Sequence, residues 1–146
     1  MQEFIKLTPV IDYEFALELT RSNMNFYYQK HNIQWEDHCF ATNWQKSENF
    51  GVYLKNQCIG VLRQEHDLQA TYLADLQIKS DLQGQGIGNF ILNYVKQLAQ
   101  IRKKNLVSLV VFLDNPALFL YQRHGFSITQ KNEVLARMEC PLTQPS

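Results

Sequence analysis

Long apolar runs, an excess of charge of either sign and paired cysteines are all missing from this chain, and each absence removes a class of function. No stretch approaches the roughly 20 apolar residues of a membrane-spanning helix, so no membrane role is expected. Lys plus Arg and Asp plus Glu balance at 14 each. Nothing overall therefore draws the chain to nucleic acid or to an acidic surface. The densest basic cluster, Arg102-Lys103-Lys104, falls where a helix should end, and there it complements the helix dipole. Three cysteines, Cys39, Cys58 and Cys140, are odd in number and scattered, with no C-x-x-C pair. Their spacing indicates neither a disulfide framework nor a zinc site. Met1-Gln2-Glu3 lacks the basic start and apolar segment of a secretion signal, and the expected compartment is cytoplasmic. Repeats, low-complexity segments and linkers are also missing. With 146 residues, 45% apolar and 19% charged, the expectation is one domain over residues 1–146.

Glycine is scarce as well, and half of it sits in one place. Of six glycines, three lie in Gln83-Gly84-Gln85-Gly86-Ile87-Gly88. This segment follows an apolar, strand-like run from Tyr72 to Ile78 and opens a helix-like run from Gly86 to Arg102. Glycines between a strand and a helix let backbone approach a ligand closely. The first helical turn also has unpaired N–H groups and the positive end of the helix dipole. The combination suits a phosphate or pyrophosphate. A P-loop would need Lys and then Ser or Thr after the last glycine, but Asn89 and Phe90 stand there. A dinucleotide fingerprint needs G-x-G-x-x-G. Counting from Gly84 puts Asn89 at its last position, and counting from Gly86 puts Ile91 there. What fits is Q/R-x-x-G-x-G/A, through Gln83, Gly86 and Gly88.

The remaining pattern predicts a mixed α/β chain. Phe4 to Leu7 reads as a short strand. Asp12 is placed to cap a helix through about Tyr28, and a second helix spans Trp35 to Gln45. Val52 to Leu54 and Cys58 to Leu62 form a hairpin turning at Asn56-Gln57. Thr71 to Ile78 reads as a central strand buried on both faces. Ile87, Ile91, Val95, Leu98 and Arg102 recur at helical spacing. Leu106 to Phe112 is a second buried strand, Pro116 suits the first turn of a short helix, and Phe126 to Ile128 with Val134 to Cys140 make a last hairpin. The tail from Pro141 to Ser146 is expected to fray.

A second block, Asn115-Pro116-Ala117-Leu118-Phe119-Leu120-Tyr121-Gln122-Arg123-His124-Gly125-Phe126, follows the glycine turn after one helix and one strand. Together the blocks resemble the GCN5-related N-acetyltransferase (GNAT) superfamily, whose pattern here is N-x-x-A-x-x-x-Y-x-x-x-G-F. One residue separates Asn115 from Ala117 where the family commonly has two. The resemblance covers Ala70 to Phe126. It implies a central, mostly antiparallel splayed sheet flanked by helices. It also implies transfer of an acetyl group from acetyl-CoA to a primary amine in a direct ternary complex, with no metal.

The resemblance further implies that the amides from Gln83 through Gly84, Gln85, Gly86, Ile87 and Gly88 to Asn89 hold the pyrophosphate. The strand Leu76-Gln77-Ile78 pairs with the pantetheine arm, and Tyr121 lies beside the thioester sulfur as general acid. Asn115 either contacts the cofactor or caps a turn. A non-catalytic acyl-CoA-binding module on the same fold is the alternative.

A carboxylate inside an apolar strand is costly unless paired or solvated. Asp75 is therefore the candidate base, or else a hydrogen-bonded carboxylate. His31, His38 and His124 read as surface or turn residues rather than bases. Tyr27, Tyr28, His31 and Trp35 lie in the N-terminal segment where acceptor pockets vary, and aromatics beside carboxylates suit a cationic amine. The acceptor is left open among a small molecule, a peptide and a protein. No nucleic-acid or membrane partner is expected, and the family often forms homodimers.

Overall fold

The computed structural model describes residues 5–143. In chain order they form β1 (Ile5–Thr8), α1 (Tyr13–Lys30), α2 (Asp37–Lys46), β2 (Glu48–Leu54), β3 (Gln57–His66), β4 (Ala70–Ile78), α3 (Ile87–Ile101), β5 (Leu106–Phe112), α4 (Ala117–Arg123), β6 (Ser127–Lys131) and β7 (Leu135–Pro141). The strands follow the order β1-β2-β3-β4-β5-β7-β6 in a seven-stranded sheet. The fold is thus mixed α/β, as expected. Two compact units divide it: Met1–Glu65 with Ala74–Ile87, and His66–Leu73 with Gly88–Ser146. Among the described residues no helix is long and apolar enough to cross a membrane.

In the first unit, Asp12 caps α1 as expected, its carboxylate accepting from the Glu14 N–H at 3.0 Å. Ala16 and Leu17 of α1, Phe40 of α2 and Val61 of β3 make a buried cluster, with Tyr13, Trp35 and Trp44 packed on it. Helix α2 starts at Asp37, two residues after the expected Trp35. The β2–β3 turn lies at Lys55 and Asn56, both left-handed at φ 50° and 71°. Gln57 pairs with Leu54 and belongs to the strand, so the turn is one residue earlier than expected. Two left-handed residues match the twist of a tight hairpin.

Gly60 of β3 meets β4 without room for a side chain. A Cβ there would stand 2.6 Å from the Gln77 carbonyl oxygen and 2.7 Å from Ile78 Cδ1. The first neighbour is backbone and cannot swing aside. Gly60→Ala is expected to destabilise the protein by about 1–3 kcal/mol, read as a lower Tm. An unchanged Tm would contradict this close approach.

In the second unit, the start of β4 runs parallel to β5, with Ala70 opposite Leu106 and Tyr72 opposite Ser108. Strand β7 pairs antiparallel with β5 on one side and with β6 on the other. The unit's buried apolar residues include Ile91, Leu92, Val95 and Ala99 of α3, Val107, Leu109 and Val111 of β5, and Ala136 and Met138 of β7. The basic cluster after α3 does more than face a dipole. Arg102 Nη1 bonds His66 Nε2 at 2.8 Å, and Lys104 Nζ donates to the Asp67 carbonyl, so the helix end is tied to the β3–β4 turn.

Strand β4 departs from the expectation of burial on both faces. Thr71, Leu73 and Ile78 are buried, and the other positions are half-buried. The reason is local: Asp75 and Gln77 are polar and hydrogen-bonded. The tail is also better held than expected, since the Leu142 N–H donates to the Asn105 carbonyl at 2.8 Å. Phe4 and the tail residues beyond 143 lie outside the described residues.

Candidate functional site

The glycine turn has the backbone that its composition suggests. Gly84 and Gly86 are left-handed, at φ 78° and 86°, a region that costs L-residues roughly 1–2 kcal/mol. No heavy atom lies within 4 Å of where a Gly84 Cβ would stand. Its conformation therefore answers to the path of the chain, not to crowding. Gln83 Nε2 donates to the Ile78 carbonyl at 3.0 Å and moors the turn to the end of β4. Gln83, Gly84 and Gln85 are exposed, and helix α3 begins at Ile87 with no acidic residue in its first turn. The helix N–H groups there have no competing carboxylate on their own element.

Gly88 plays a different part. It lacks a left-handed φ, and a Cβ on it would meet Leu120 Cδ2 at 3.0 Å. The third glycine lets α4 pack against α3.

In the first unit, the end of β4 is heavily hydrogen-bonded. Asp75 Oδ2 accepts from Arg63 Nε at 2.9 Å and Nη2 at 2.6 Å, and Oδ1 accepts from Gln77 Nε2 at 3.3 Å. Arg63 Nη1 reaches Ser47 Oγ at 3.0 Å, and the guanidinium lies 4.8 Å from the Phe40 ring centroid. Both side chains are withdrawn from solvent, Arg63 to 6% and Asp75 to 15% exposure. Burial raises the Asp75 carboxyl above its ordinary range, with Arg63 and Gln77 pulling the other way. The Ile78 carbonyl accepts from Asn23 Nδ2 as well as from Gln83, and Asn23 also donates to Gln77.

The N-terminal aromatics form an uneven group. Tyr28 packs edge-on against Trp35 at 5.3 Å, and its hydroxyl is pushed up by burial, then by the charges of Asp75 and Cys39. Tyr28 and Asp75 thus lie within electrostatic reach of each other. Tyr27 packs instead on Phe26 at 5.2 Å, and His31 is the C-cap of α1. Trp35 is tied through its indole N–H to Asp37 at 2.7 Å. Tyr28 is thus linked to Trp35 by packing and to Asp75 by charge.

In the second unit, Asn115 Oδ1 accepts from the Ala117 N–H at 2.9 Å, an Asx turn that leads into α4. Half-buried Tyr121 packs on Phe126 at 5.8 Å between ring centres. His124 Nε2 meets Asn89 Oδ1 at 2.7 Å, while Lys96 Nζ donates to the His124 carbonyl. Burial, then Lys96 and Arg123, hold the His124 imidazole below its usual value. His124 is therefore more than a turn residue: it ties α4 to the first turn of α3.

Arg63 and Asn23 were not singled out from the sequence, and His124 was read there only as a surface or turn residue. Arg63 had a usable signal, a cation that directly follows the apolar run Cys58 to Leu62. Asn23 and His124 had none, because their partners lie 54 and 35 residues away.

The architecture has many solved counterparts. A GNAT family acetyltransferase from Elizabethkingia anophelis with acetyl-CoA bound aligns with a TM-score of 0.76 and 17% identity, covering 96% of this chain and 99% of that one. The PaiA N-acetyltransferase of Thermoplasma acidophilum in complex with coenzyme A gives 0.74 and 17%, over 94% and 98%. The ribosomal-protein-S18-alanine N-acetyltransferase of Escherichia coli gives 0.74 and 18%, over 97% and 96%. At such identities these likenesses speak for the fold alone. No curated protein matches the sequence. The family model for the acetyltransferase (GNAT) domain, however, matches residues 45–128, more than half of the chain. That span takes in the glycine turn, α3, β5 and α4, and the chain belongs to the GNAT acetyltransferase family.

Proposed function

We propose that this chain is an N-acetyltransferase, acting as one domain over residues 1–146, that moves an acetyl group from acetyl-CoA to a primary amine by direct attack in a ternary complex. The observation that carries the reading is the left-handed turn at Gly84 and Gly86, opening α3 in a GNAT-family chain. Two of the similar folds are described as N-acetyltransferases, and two are bound to acetyl-CoA or CoA. In this reading the amides of Gln83 to Asn89 hold the pyrophosphate, and Leu76 to Ile78 lie along the pantetheine arm. The amine nitrogen attacks the thioester carbonyl carbon, the C–S bond breaks, and the amine gives up a proton. Asp75 is the candidate acceptor of that proton. Tyr121, whose phenol needs no tuning to donate, protonates the departing thiolate. Tyr28, Trp35, Tyr27 and His31 are assigned to the acceptor side, with Tyr28 beside Asp75 the strongest of them.

Tyr121→Phe and Asp75→Asn test these roles. Each is expected to lower kcat by about 10²–10⁴-fold and to leave acetyl-CoA affinity unchanged. Full turnover in either variant, with an amine that the wild type accepts, would remove that residue from the chemistry.

A second reading has its own observation. Arg63 and Gln77 occupy both oxygens of Asp75, as they would if the carboxylate were structural and the protein an acyl-CoA-binding module. That version expects acetyl-CoA binding with no turnover across a panel of amines.

A further inference from the structure

We propose that Glu36, His38 and Cys39, at the start of α2, form a surface zinc site. The proposal stands or falls independently of the acetyl-transfer reading.

Three donor types preferred by zinc, a carboxylate, an imidazole and a thiol, converge within one turn of chain. His38 Nε2 lies 3.1 Å from Glu36 Oε2. Cys39 Sγ lies 3.7 Å from the same Glu36 oxygen and 3.6 Å from His38 Nε2. The corners of a tetrahedron around zinc, built from ordinary Zn–N, Zn–O and Zn–S lengths, are about 3.4, 3.6 and 3.6 Å apart in the same order. The three atoms therefore match one triangular face of a zinc tetrahedron, leaving a fourth position for water.

An ion pair between Glu36 and His38 alone would explain the first distance. It would not bring the thiol equally close to both partners. The local structure also withholds the carboxylate from its usual work. Glu36 occupies the N-cap position of α2, yet its side chain makes no capping hydrogen bond. The neighbouring carboxylate, Asp37, is held elsewhere, by Arg21 at 2.8 and 3.0 Å and by the Trp35 indole at 2.7 Å. These bonds pin the backbone between the ligands, and the Cys39 N–H donates to the Glu36 carbonyl at 3.1 Å. Such outer contacts orient ligands and strengthen a metal site. His38 and Glu36 are 77% and 43% exposed, so a hydrated ion reaches them directly. Binding replaces the thiol proton of Cys39 by the Zn–S bond, and the proton passes to the buffer.

The test uses the reduced, tag-free full chain, titrated with Co²⁺ and Zn²⁺ alone. One metal per chain and a thiolate-to-cobalt charge-transfer band are expected. Cys39→Ser should abolish the band, and Glu36→Gln and His38→Ala should each weaken Zn²⁺ at least tenfold. Cys58→Ser, which alters a thiol outside the cluster, should leave both readouts unchanged. All four are to be checked as folded by circular dichroism. No cobalt band in the wild type, a band that survives Cys39→Ser, or unchanged zinc affinity in either of the other ligand variants would overturn the proposal.

Discussion

Gly86→Glu is expected to weaken acetyl-CoA binding by at least about 100-fold, or about 2.7 kcal/mol, in isothermal titration calorimetry. Two effects add. Gly86 sits at φ 86°, where a residue with a Cβ costs roughly 1–2 kcal/mol. The new carboxylate would also meet the pyrophosphate charge, and two like charges about 4 Å apart near a protein surface repel by about 4 kcal/mol. Gly86→Ala separates the terms, because it keeps the strain and omits the charge. Gly84→Ala isolates strain further, since its position is left-handed at φ 78° with nothing within 4 Å. The expected order of affinity loss is Glu at 86, then Ala at 86, then Ala at 84. Wild-type affinity in a folded Gly86→Glu protein would move the cofactor away from this turn, and the proposed function would lose its main support.

Removing Arg63 is expected to be the most damaging single change to stability. Its guanidinium spends two hydrogen bonds on Asp75, one on Ser47, and stacks on Phe40. Arg63→Met keeps much of the volume but leaves Asp75 buried and unpaired, which costs about 3–5 kcal/mol. For a chain of this length that corresponds to a Tm lower by roughly 6–20 °C. The sign of its pH dependence follows from the carboxyl. Without Arg63 the folded-state pKa of Asp75 rises further above its unfolded value, so the folded state binds the proton more tightly. The deficit is then largest at neutral pH and shrinks as pH falls through that raised pKa. Adding Asp75→Leu should restore most of the loss, because an apolar pair of similar volume often replaces a buried ion pair at no net cost. A change below about 1 kcal/mol in Arg63→Met would mean that the pair behaves like a surface contact.

Much of the family assignment was legible without coordinates. Helix α3 and strand β5 fell where their apolar spacing put them, β5 to the residue. Periodicity is a local property, and these segments bury the face that it marks. The hairpin between β2 and β3 was found with its turn one residue late. Asn is the better left-handed residue, but the register with Leu54 opposite Gln57 also placed Lys55 in that region. Register is a cross-strand property, so composition alone could not choose it. Asp75 was singled out because a carboxylate in an apolar strand demands a partner. Which partner could not be read, since Arg63 lies on another strand.

By itself, then, the sequence determined the order of elements, the glycine turn that opens α3 and the family to which the chain belongs. Each depends on spacing along the backbone or on a conformation that favours glycine. Only the tertiary structure decided which side chains meet. It turned Gly88 toward Leu120, gave Asp75 to Arg63 and Gln77, brought Tyr28 within reach of that carboxylate and tied His124 to Asn89. Those pairings arise when strands and helices distant in the chain bury their faces together, and the burial itself sets the price of leaving a polar group unpaired.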